Sequence, residues 1–291
     1  MPPTQRITNK GEDANRRPPL FSSRMNTEKP LILATNDDGI DSEFLGVLVE
    51  ELVKDFEVVT CAPDGERSWI GHAISRHAKL APKKIKSLPC EAHSLNGTPA
   101  DCVNFACGHL LPREPDLVIS GINLGYNVTL PMVLSSGTVG AALEGALLGF
   151  RAMAASMALP VDEFEEIREN KGKVSGKIAK SLRNSAKACA RYARQMIDSP
   201  VSDGLEVHNL NFPENYDGKK EPMLTFANSL KLGTLFEKPE GKNYHQLVYR
   251  PEWLDEANLE IGSDLWALEE DLPSVSRLDF AQLSGKKYLE P

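Results

Sequence analysis

Residues 31–39 read Leu-Ile-Leu-Ala-Thr-Asn-Asp-Asp-Gly, an apolar run that stops at two adjacent carboxylates, Asp37 and Asp38. The run from Leu31 to Thr35 has no polar face, which is typical of a parallel strand that helices cover on both sides. Open α/β sheets bind their ligands at the carboxyl ends of such strands. The stretch therefore predicts an α/β fold with a site at the two carboxylates, although Asn36 to Gly39 also has the composition of a simple turn.

The two carboxylates predict a cation between them. Neighbouring carboxylates repel each other and lose hydration when they are partly enclosed, so a positive charge is expected there. The candidate ligands are oxygen donors, which suit Mg²⁺, Mn²⁺ or Ca²⁺ better than zinc or copper. Four predicted loops at this sheet edge together offer Asp37, Asp38, Ser68, Asn123, Asn127 and the helix start Ser136-Gly137-Thr138.

The helix start at residues 136–138 precedes a run rich in Gly and Ala, which predicts a closely packed helix. The free N–H groups of its first turn and the two hydroxyls form a natural cradle for phosphate. A plain Ser or Thr N-cap is the alternative. A cation that faces such a helix start favours phosphoryl chemistry, and the absence of a Walker motif argues against ATP-driven transfer. The residues by themselves therefore predict metal-dependent phosphoryl hydrolysis.

Hydrophobic spacing predicts the remaining elements. A helix from Phe44 to Val53 lies between the first strand and a second apolar run at 56–62, which is a strand-helix-strand unit with parallel strands. Residues 72–95 suggest a hairpin or an excursion. The other predicted elements are a helix from Thr98 (N-cap, with Asp101 in the first turn) to about Leu110, a strand from Asp116 followed by a loop over Gly121–Asn127, a strand over Ala152–Leu159, a helix over Lys177–Met196 and a strand over Leu205–Phe212.

Composition excludes several classes of protein. The formal net charge of −8 over 291 residues argues against a general affinity for nucleic acid polymers. The five cysteines are odd in number and form no Cys-x-x-Cys pair, so we expect free thiols and a reducing, cytoplasmic compartment. No apolar run approaches the length of a membrane span, and the N-terminus lacks the apolar core of a secretory signal.

The chain divides into three predicted parts. Residues 1–28 are polar and contain several prolines, which predicts a disordered tail. Residues 29–213 form the α/β domain. Residues 214–291 are predicted to be a smaller, extended segment whose apolar strips, including Trp253 and Trp266, need a partner surface. A homo-oligomer follows as a hypothesis.

Five groups of residues occur in a specific order over roughly Leu31 to Ala155. They are Asn36 to Gly39; Ala62-Pro63-Asp64 with Arg67-Ser68; Asn96 to Val103; Ser120 to Asn123 with Gly125 and Asn127; and Ser136 to Val139 with Ala141-Ala142 and Glu144-Gly145. In this order they resemble the SurE survival-protein nucleotidases. The C-terminal part is similar to that family only through Asn211-Phe212-Pro213 and Gly262 to Trp266.

The resemblance implies a Rossmann-like three-layer domain with a mostly parallel sheet, and a C-terminal segment that exchanges between the subunits of a homodimer or homotetramer. It implies a divalent-metal phosphatase that acts on nucleoside 5′- and 3′-monophosphates and that, in some members, trims short polyphosphate. The implied catalytic and metal-binding residues are Asp37 and Asp38, with Ser68 and Asn123 as further metal ligands. The implied phosphate contacts are Asn127, Ser136, Gly137 and Thr138.

Four residues depart from the family pattern. Trp69 follows Ser68 where Gly is usual, Ser135 stands where Tyr is common, and residues 131–132 replace residues that are often acidic. These departures bear on substrate preference, and those at Trp69 and Ser135 are the sequence support for an alternative function, a nucleotide or metal sensor without turnover. For the enzyme, either water attacks the phosphate or Asp37 attacks it to form an aspartyl-phosphate.

Overall fold

A nine-stranded sheet forms the centre of the protein. The computed structural model describes residues 28–200, 205–231, 233–248 and 259–284. The strands are β1 (Leu31–Thr35), β2 (Glu57–Pro63), β3 (Pro82–Ile85), β4 (Glu91–Leu95), β5 (Leu117–Leu124), β6 (Ala152–Met157), β7 (Glu206–Phe212), β8 (Met223–Thr225), β9 (Phe236–Glu237), β10 (Gln246–Leu247) and β11 (Ser274–Asp279). The helices are α1 (Glu43–Leu52), α2 (Pro99–His109), α3 (Leu130–Ser135), α4 (Gly137–Leu147), α5 (Phe164–Glu169), α6 (Gly176–Asp198) and α7 (Asp264–Glu269).

Six neighbouring strands run parallel, so their carboxyl ends lie on one edge of the sheet. The sheet order is β3-β4-β2-β1-β5-β6-β7-β11-β8, and the strands from β4 to β7 in that order are the parallel ones. From β1 the chain crosses to β2 on one side, whereas β5 on the other side leads to β6 and β7. The strand order thus reverses between β1 and β5, and such a switch point opens a crevice for ligands.

Helices cover both faces of the sheet, which gives three layers. Helices α1 and α6 pack on one face, and α2 and α4 pack on the other. All five residues of β1 are fully buried because neither of its faces meets water. The interpretation of Leu31–Thr35 as a central parallel strand is confirmed, and with it the α/β class.

Most of the predicted elements are confirmed, and one is wrong in part. The helix N-cap at Thr98 forms a capping box with Asp101, as the sequence indicates. The prediction that a loop begins at Gly121 is wrong for residues 121–124, because β5 continues to Leu124. The register of β5 against β6 shifts between Ser120 and Asn123, and this irregularity hides the strand from a simple hydrophobic pattern.

Two short elements were not foreseen in detail. Residues 72–95 contain the antiparallel β3–β4 hairpin, whose second strand joins β2 in parallel. Helix α3 is six residues long; Thr129 at its N-cap makes no capping hydrogen bond, and Pro131 in its first turn is the signal of a helix start.

Residues 214–291, predicted as an extended segment, contribute two strands to the main sheet. Strand β11 pairs antiparallel with β7, and β8 pairs parallel with β11. Strands β9 and β10 form a separate antiparallel pair. The domain boundary at 213 stays a prediction, as does disorder in 1–28, of which only Glu28 is described; Trp253 lies outside the described residues. Within the described ranges, no helix combines the length and apolar character that crossing a bilayer requires.

Gly121 has no room for a side chain. Its φ is +132°, and a Cβ there would lie 2.2 Å from the carbonyl oxygen of Ala155 on β6. We expect Gly121→Ala to lower the free energy of unfolding by about 3 kcal/mol, because it strains the backbone and separates β5 from β6. Gly108→Ala is the control, since its Cβ meets nothing within 4 Å, and we expect it to stabilise α2 by about 0.5 kcal/mol. Urea unfolding measures both, and equal effects would contradict the steric argument.

Candidate functional site

The turn after β1 presents Asp37 and Asp38 at the switch point. The Asn36 side chain closes this turn, since its Oδ1 accepts from the Gly39 N–H at 3.2 Å and its Nδ2 donates to the Gly39 carbonyl at 3.0 Å. The Ile40 N–H then donates to the carbonyl oxygen of the last residue of β2 at 2.8 Å. The turn holds both carboxylates at the end of β1, so the hydrogen bonds that close it also fix the position of the site.

Asp37 is enclosed between the loop after β2 and the start of α4. The residue is only 4% exposed. Its Oδ1 accepts a hydrogen bond from the Thr138 hydroxyl at 2.5 Å, and its carbonyl accepts from the Arg67 N–H at 2.7 Å. Gly137 permits this approach, because a Cβ there would lie 2.8 Å from Asp37 Oδ2. The first turn of α4 therefore packs directly on this carboxylate.

Asp38 faces the other side of the switch point, towards β5. Its Oδ2 accepts a hydrogen bond from the Leu124 N–H at 3.2 Å. The neighbouring Asn123 donates its Nδ2 to the carbonyl oxygens of Leu124 at 3.2 Å and Gly125 at 2.8 Å. These two bonds use the donor end of the Asn123 amide, so its Oδ1 is the atom that can act as a ligand. The Asp38 carboxylate thus contacts the main chain of the residue next to Asn123, and a cation shared by the two side chains stays a prediction.

The two carboxylates lack a positive partner among the hydrogen bonds just described. Burial raises the pKa of Asp37, against the opposing effect of its hydrogen bond from Thr138. Burial also raises the pKa of Asp38 well above its usual range, and the charge of Asp37 adds to that effect. Because the donors are neutral N–H and O–H groups, the pair carries negative charge that a bound cation would offset.

The donor set fits a hard divalent cation. In the part of the chain that the structure describes, no group of three or more His, Cys, Asp or Glu side chains could hold a metal. A cation at Asp37 and Asp38 would therefore depend on neutral oxygens as well, and Ser68 and Asn123 are the predicted ones. Carboxylate, amide and hydroxyl oxygens are ligands for Mg²⁺ or Mn²⁺ rather than for a dedicated zinc site.

Ser68 belongs to the loop that binds the main chain of Asp37 through Arg67. Its hydroxyl donates to Glu66 Oε1 at 2.8 Å, and Glu66 Oε2 accepts from Arg168 Nη1 of α5 at 2.9 Å. Arg67 pairs with Asp64 at 2.9 Å, which shapes the loop. Sequence reasoning assigned neither Glu66 nor Arg168 to the site. Glu66 is visible beside Ser68, but Arg168 is 102 residues away, and no local pattern connects them.

The predicted phosphate contacts have internal hydrogen bonds in this structure. Ser136 is the N-cap of α4, and its hydroxyl accepts from the Val139 N–H at 3.1 Å. The Thr138 hydroxyl donates to Asp37. Asn127 is buried, and its Nδ2 donates to the Ser156 hydroxyl at 2.9 Å. The start of α4 therefore lies against the carboxylates, whereas Asn127 is held by β6; contact with phosphate stays a prediction for all of them.

A further group of polar side chains holds the loop after β2, which contains Ser68, against α4. His72 Nε2 lies 2.6 Å from Glu144 Oε2, and Asn104 donates to Glu144 Oε1 at 2.7 Å. Glu144 is 6% exposed, so its carboxylate depends on these partners. The Gly71 N–H also donates to the carbonyl oxygen of Ser135 at 2.9 Å. The spacing of residues in the sequence does not predict this cluster, because its members come from a loop and two different helices.

A family model described as Survival protein SurE matches residues 32–230, which include every predicted site residue. The 5′-nucleotidase SurE of Pelotomaculum thermopropionicum is 34% identical over 265 residues, covering 89% of this chain and 92% of the relative. That of Caldanaerobacter subterraneus subsp. tengcongensis is 30% identical over 260 residues, covering 87% and 92%. That of Clostridium botulinum is 38% identical over 186 residues, covering 62% of this chain and 66% of the relative.

A solved structure has the same fold. The crystal structure of the SurE protein from Aquifex aeolicus superimposes with a TM-score of 0.68 at 26% identity, and the match covers 90% of this chain and 100% of that one. A match over 90% of the chain extends past the predicted domain boundary at 213, so the similarity includes part of the C-terminal segment.

Removal of the Thr138 hydroxyl tests the enclosure of Asp37. We expect Thr138→Val to lower the free energy of unfolding by about 1 to 3 kcal/mol, because it leaves a buried carboxylate oxygen without its donor. Thr138→Ser is the matched control, because it keeps a hydroxyl at this position, and we expect a smaller loss. Urea unfolding in EDTA provides the measurement. No loss in Thr138→Val together with a loss in Thr138→Ser would show that packing of the methyl group, rather than the hydrogen bond, stabilises this contact.

Proposed function

The chain belongs to the SurE family, and from that membership we propose that it is a divalent-cation-dependent phosphatase of nucleoside 5′- and 3′-monophosphates. The observation that carries the proposal is the position of Asp37 and Asp38: two carboxylates with neutral hydrogen-bond donors, at the switch point of a parallel sheet and against the start of α4. Relatives that match nearly the whole chain are named 5′-nucleotidase. Short polyphosphate is a further candidate substrate.

Each predicted residue has a role in this proposal. Asp37 and Asp38 would hold the cation, with Ser68 and the Asn123 amide oxygen as neutral ligands. When bound, a divalent cation supplies positive charge that offsets the charge on the phosphoryl oxygens and increases the acidity of water. Mg²⁺ and Mn²⁺ are the ions that we propose, with Ca²⁺ as a further ion of the same ligand preference.

The start of α4 is the proposed binding place for the phosphoryl group. A helix N-terminus presents N–H groups and a positive dipole end, both of which favour an anion. Ser136, Gly137 and Thr138 form this start, and Asn127 would complete the phosphate contacts through its amide. In this arrangement the substrate lies between the carboxylates and the helix.

Water is the nucleophile that we favour over Asp37. The oxygen of water attacks phosphorus, the bond from phosphorus to the sugar oxygen breaks, and the nucleoside leaves after it receives a proton. Direct attack by Asp37 is less favourable because this proposal uses its carboxylate to hold the cation. Accumulation of an acid-stable phospho-enzyme after a rapid quench would contradict this preference.

The alternative function is a sensor that binds a nucleotide or cation without turnover. Trp69 supports it, because a bulky residue stands beside Ser68 at φ +58°, a backbone conformation that favours glycine. The retention of both carboxylates with Asn123 and Ser68 supports the enzyme. Binding of a nucleotide without release of phosphate would favour the sensor.

We also propose that the protein is a cytoplasmic homo-oligomer, a dimer or a tetramer. All five cysteines are free, as expected for a reducing compartment. The C-terminal segment exposes large apolar side chains: Leu224 is 67% exposed, Phe236 61% and Ile261 79%. Several such side chains on one segment are typical of a surface that another subunit covers.

Phosphate release from a panel of nucleoside monophosphates tests the enzyme. We expect release with Mg²⁺ or Mn²⁺, none with EDTA, and a loss of about a hundredfold or more in kcat/KM for Asp38→Asn, because the variant removes a charge from the cation site. Asp41→Asn is the matched control, since Asp41 is exposed and pairs with Lys171. No release from folded protein with any cation would contradict the proposal and leave the sensor.

Light scattering tests the oligomer. We expect a mass that is a multiple of the 32.0 kDa chain. Ile261→Glu is expected to shift the protein towards the monomer, because it places a charge on the apolar surface. Val161→Glu is the control, since Val161 is 71% exposed on a different part of the chain. A monomeric wild type at micromolar concentration would contradict this proposal.

A further inference from the structure

We propose that Glu66 and Arg168 form a positioning pair that orients the Ser68 hydroxyl towards the cation site, and so sets the affinity of the protein for its divalent cation. The inference deepens the proposed function and rests on it. It starts from a chain of three side chains. Ser68 donates its hydroxyl proton to Glu66 Oε1 at 2.8 Å, and Glu66 Oε2 accepts from Arg168 Nη1 at 2.9 Å.

The direction of the first hydrogen bond is what matters for the cation. A serine hydroxyl has one proton and two lone pairs, so it can bind a cation only when its proton points elsewhere. Glu66 provides the acceptor for that proton, and its negative charge makes the hydroxyl oxygen a better donor of electron density. Partners of this kind orient metal ligands and tune their basicity in other sites.

Arg168 holds Glu66 in the position that this role requires. An exposed glutamate on a loop has several rotamers, and a hydrogen bond from a fixed guanidinium selects one of them. Arg168 is itself held by Glu165 on the same helix, at 2.9 Å from Nε and 2.8 Å from Nη2. Helix α5 is also tied to the site edge, because the Lys171 carbonyl just after it accepts from the first N–H of α1 at 3.0 Å.

The alternative explanation is charge alone. Glu66 adds a third negative charge near Asp37 and Asp38, and that charge would attract a cation whatever the direction of the Ser68 hydroxyl. The two explanations predict opposite changes in cation affinity when Arg168 is removed. Removal of a positive charge beside a cation site raises the affinity if only charge matters, whereas loss of the group that fixes Glu66 lowers the affinity if orientation matters.

Calorimetric titration of the apo-protein with Mn²⁺ measures this affinity without turnover. For Glu66→Gln we expect the dissociation constant to rise about tenfold, and for Arg168→Ala we expect a rise in the same direction. Glu169→Gln is the matched control, since it removes the same charge as Glu66→Gln from an exposed residue of α5, and we expect wild-type affinity. Unchanged or tighter binding by Arg168→Ala would overturn the inference, as would an equal loss in Glu169→Gln and Glu66→Gln.

A double-mutant cycle with Ser68→Ala provides the second test. If Glu66 acts through the serine, Glu66→Gln changes the Mn²⁺ affinity much less in the Ser68→Ala background than in the wild type. The same factor in both backgrounds would overturn the inference. The failure of the proposed function is distinguishable from both results, because it appears in the wild-type protein as no phosphate release, whether or not Mn²⁺ binds. All variants are compared by thermal unfolding in EDTA, where the exposed positions of Glu66 and Arg168 predict little change.

Discussion

The repulsion between two adjacent carboxylates, Asp37 and Asp38, is the constraint on which the rest of the site depends. Placing both at the end of a buried strand removes water from them, and that is unfavourable unless polar groups or a cation replace it. The fold supplies one hydrogen-bond donor from each side of the switch point, the Thr138 hydroxyl for Asp37 and the Leu124 N–H for Asp38. These donors are neutral, so they orient the carboxylates without cancelling their charge. The negative potential that remains is what makes the site suitable for a divalent cation.

The loop after β2 is the second part of the arrangement, because it contains Ser68, the proposed ligand that follows Arg67 in the chain. Three contacts hold it: the Arg67 N–H on the Asp37 carbonyl, the Gly71 N–H on α3, and the His72 side chain on the buried Glu144 of α4. The loop is therefore anchored before Ser68 by the main chain of Asp37, and after Ser68 by groups that do not belong to the proposed cation site. Such anchoring is common in binding sites, because well-packed residues around a site keep its ligand side chains in position.

The C-terminal segment is joined to the site region as well as to the sheet. The buried carboxylate of Asp264 accepts hydrogen bonds from the N–H groups of Thr129 and Asn228, each at 2.9 Å. Thr129 immediately precedes α3, which leads into the start of α4. The match to the family model ends at residue 230. Asp264 lies beyond that match, yet its side chain binds Thr129 and Asn228, which lie within it. An exchange of this segment between subunits would therefore bring one subunit into contact with the supports of the other's site.

The sequence by itself determined the α/β class, the central strand Leu31–Thr35, the capping box of α2 and the loops that carry Asp37, Asp38 and Ser68. It could do so because strand burial, helix capping and the position of sites at strand ends are local or follow from a general rule of parallel sheets. Only the tertiary structure decided the continuation of β5 through Asn123, the bond from Thr138 to Asp37 and the pairing of Glu66 with Arg168. Each of these depends on residues that are far apart in the chain. Packing of the folded protein brings them together, so they produce no periodicity or spacing in the sequence.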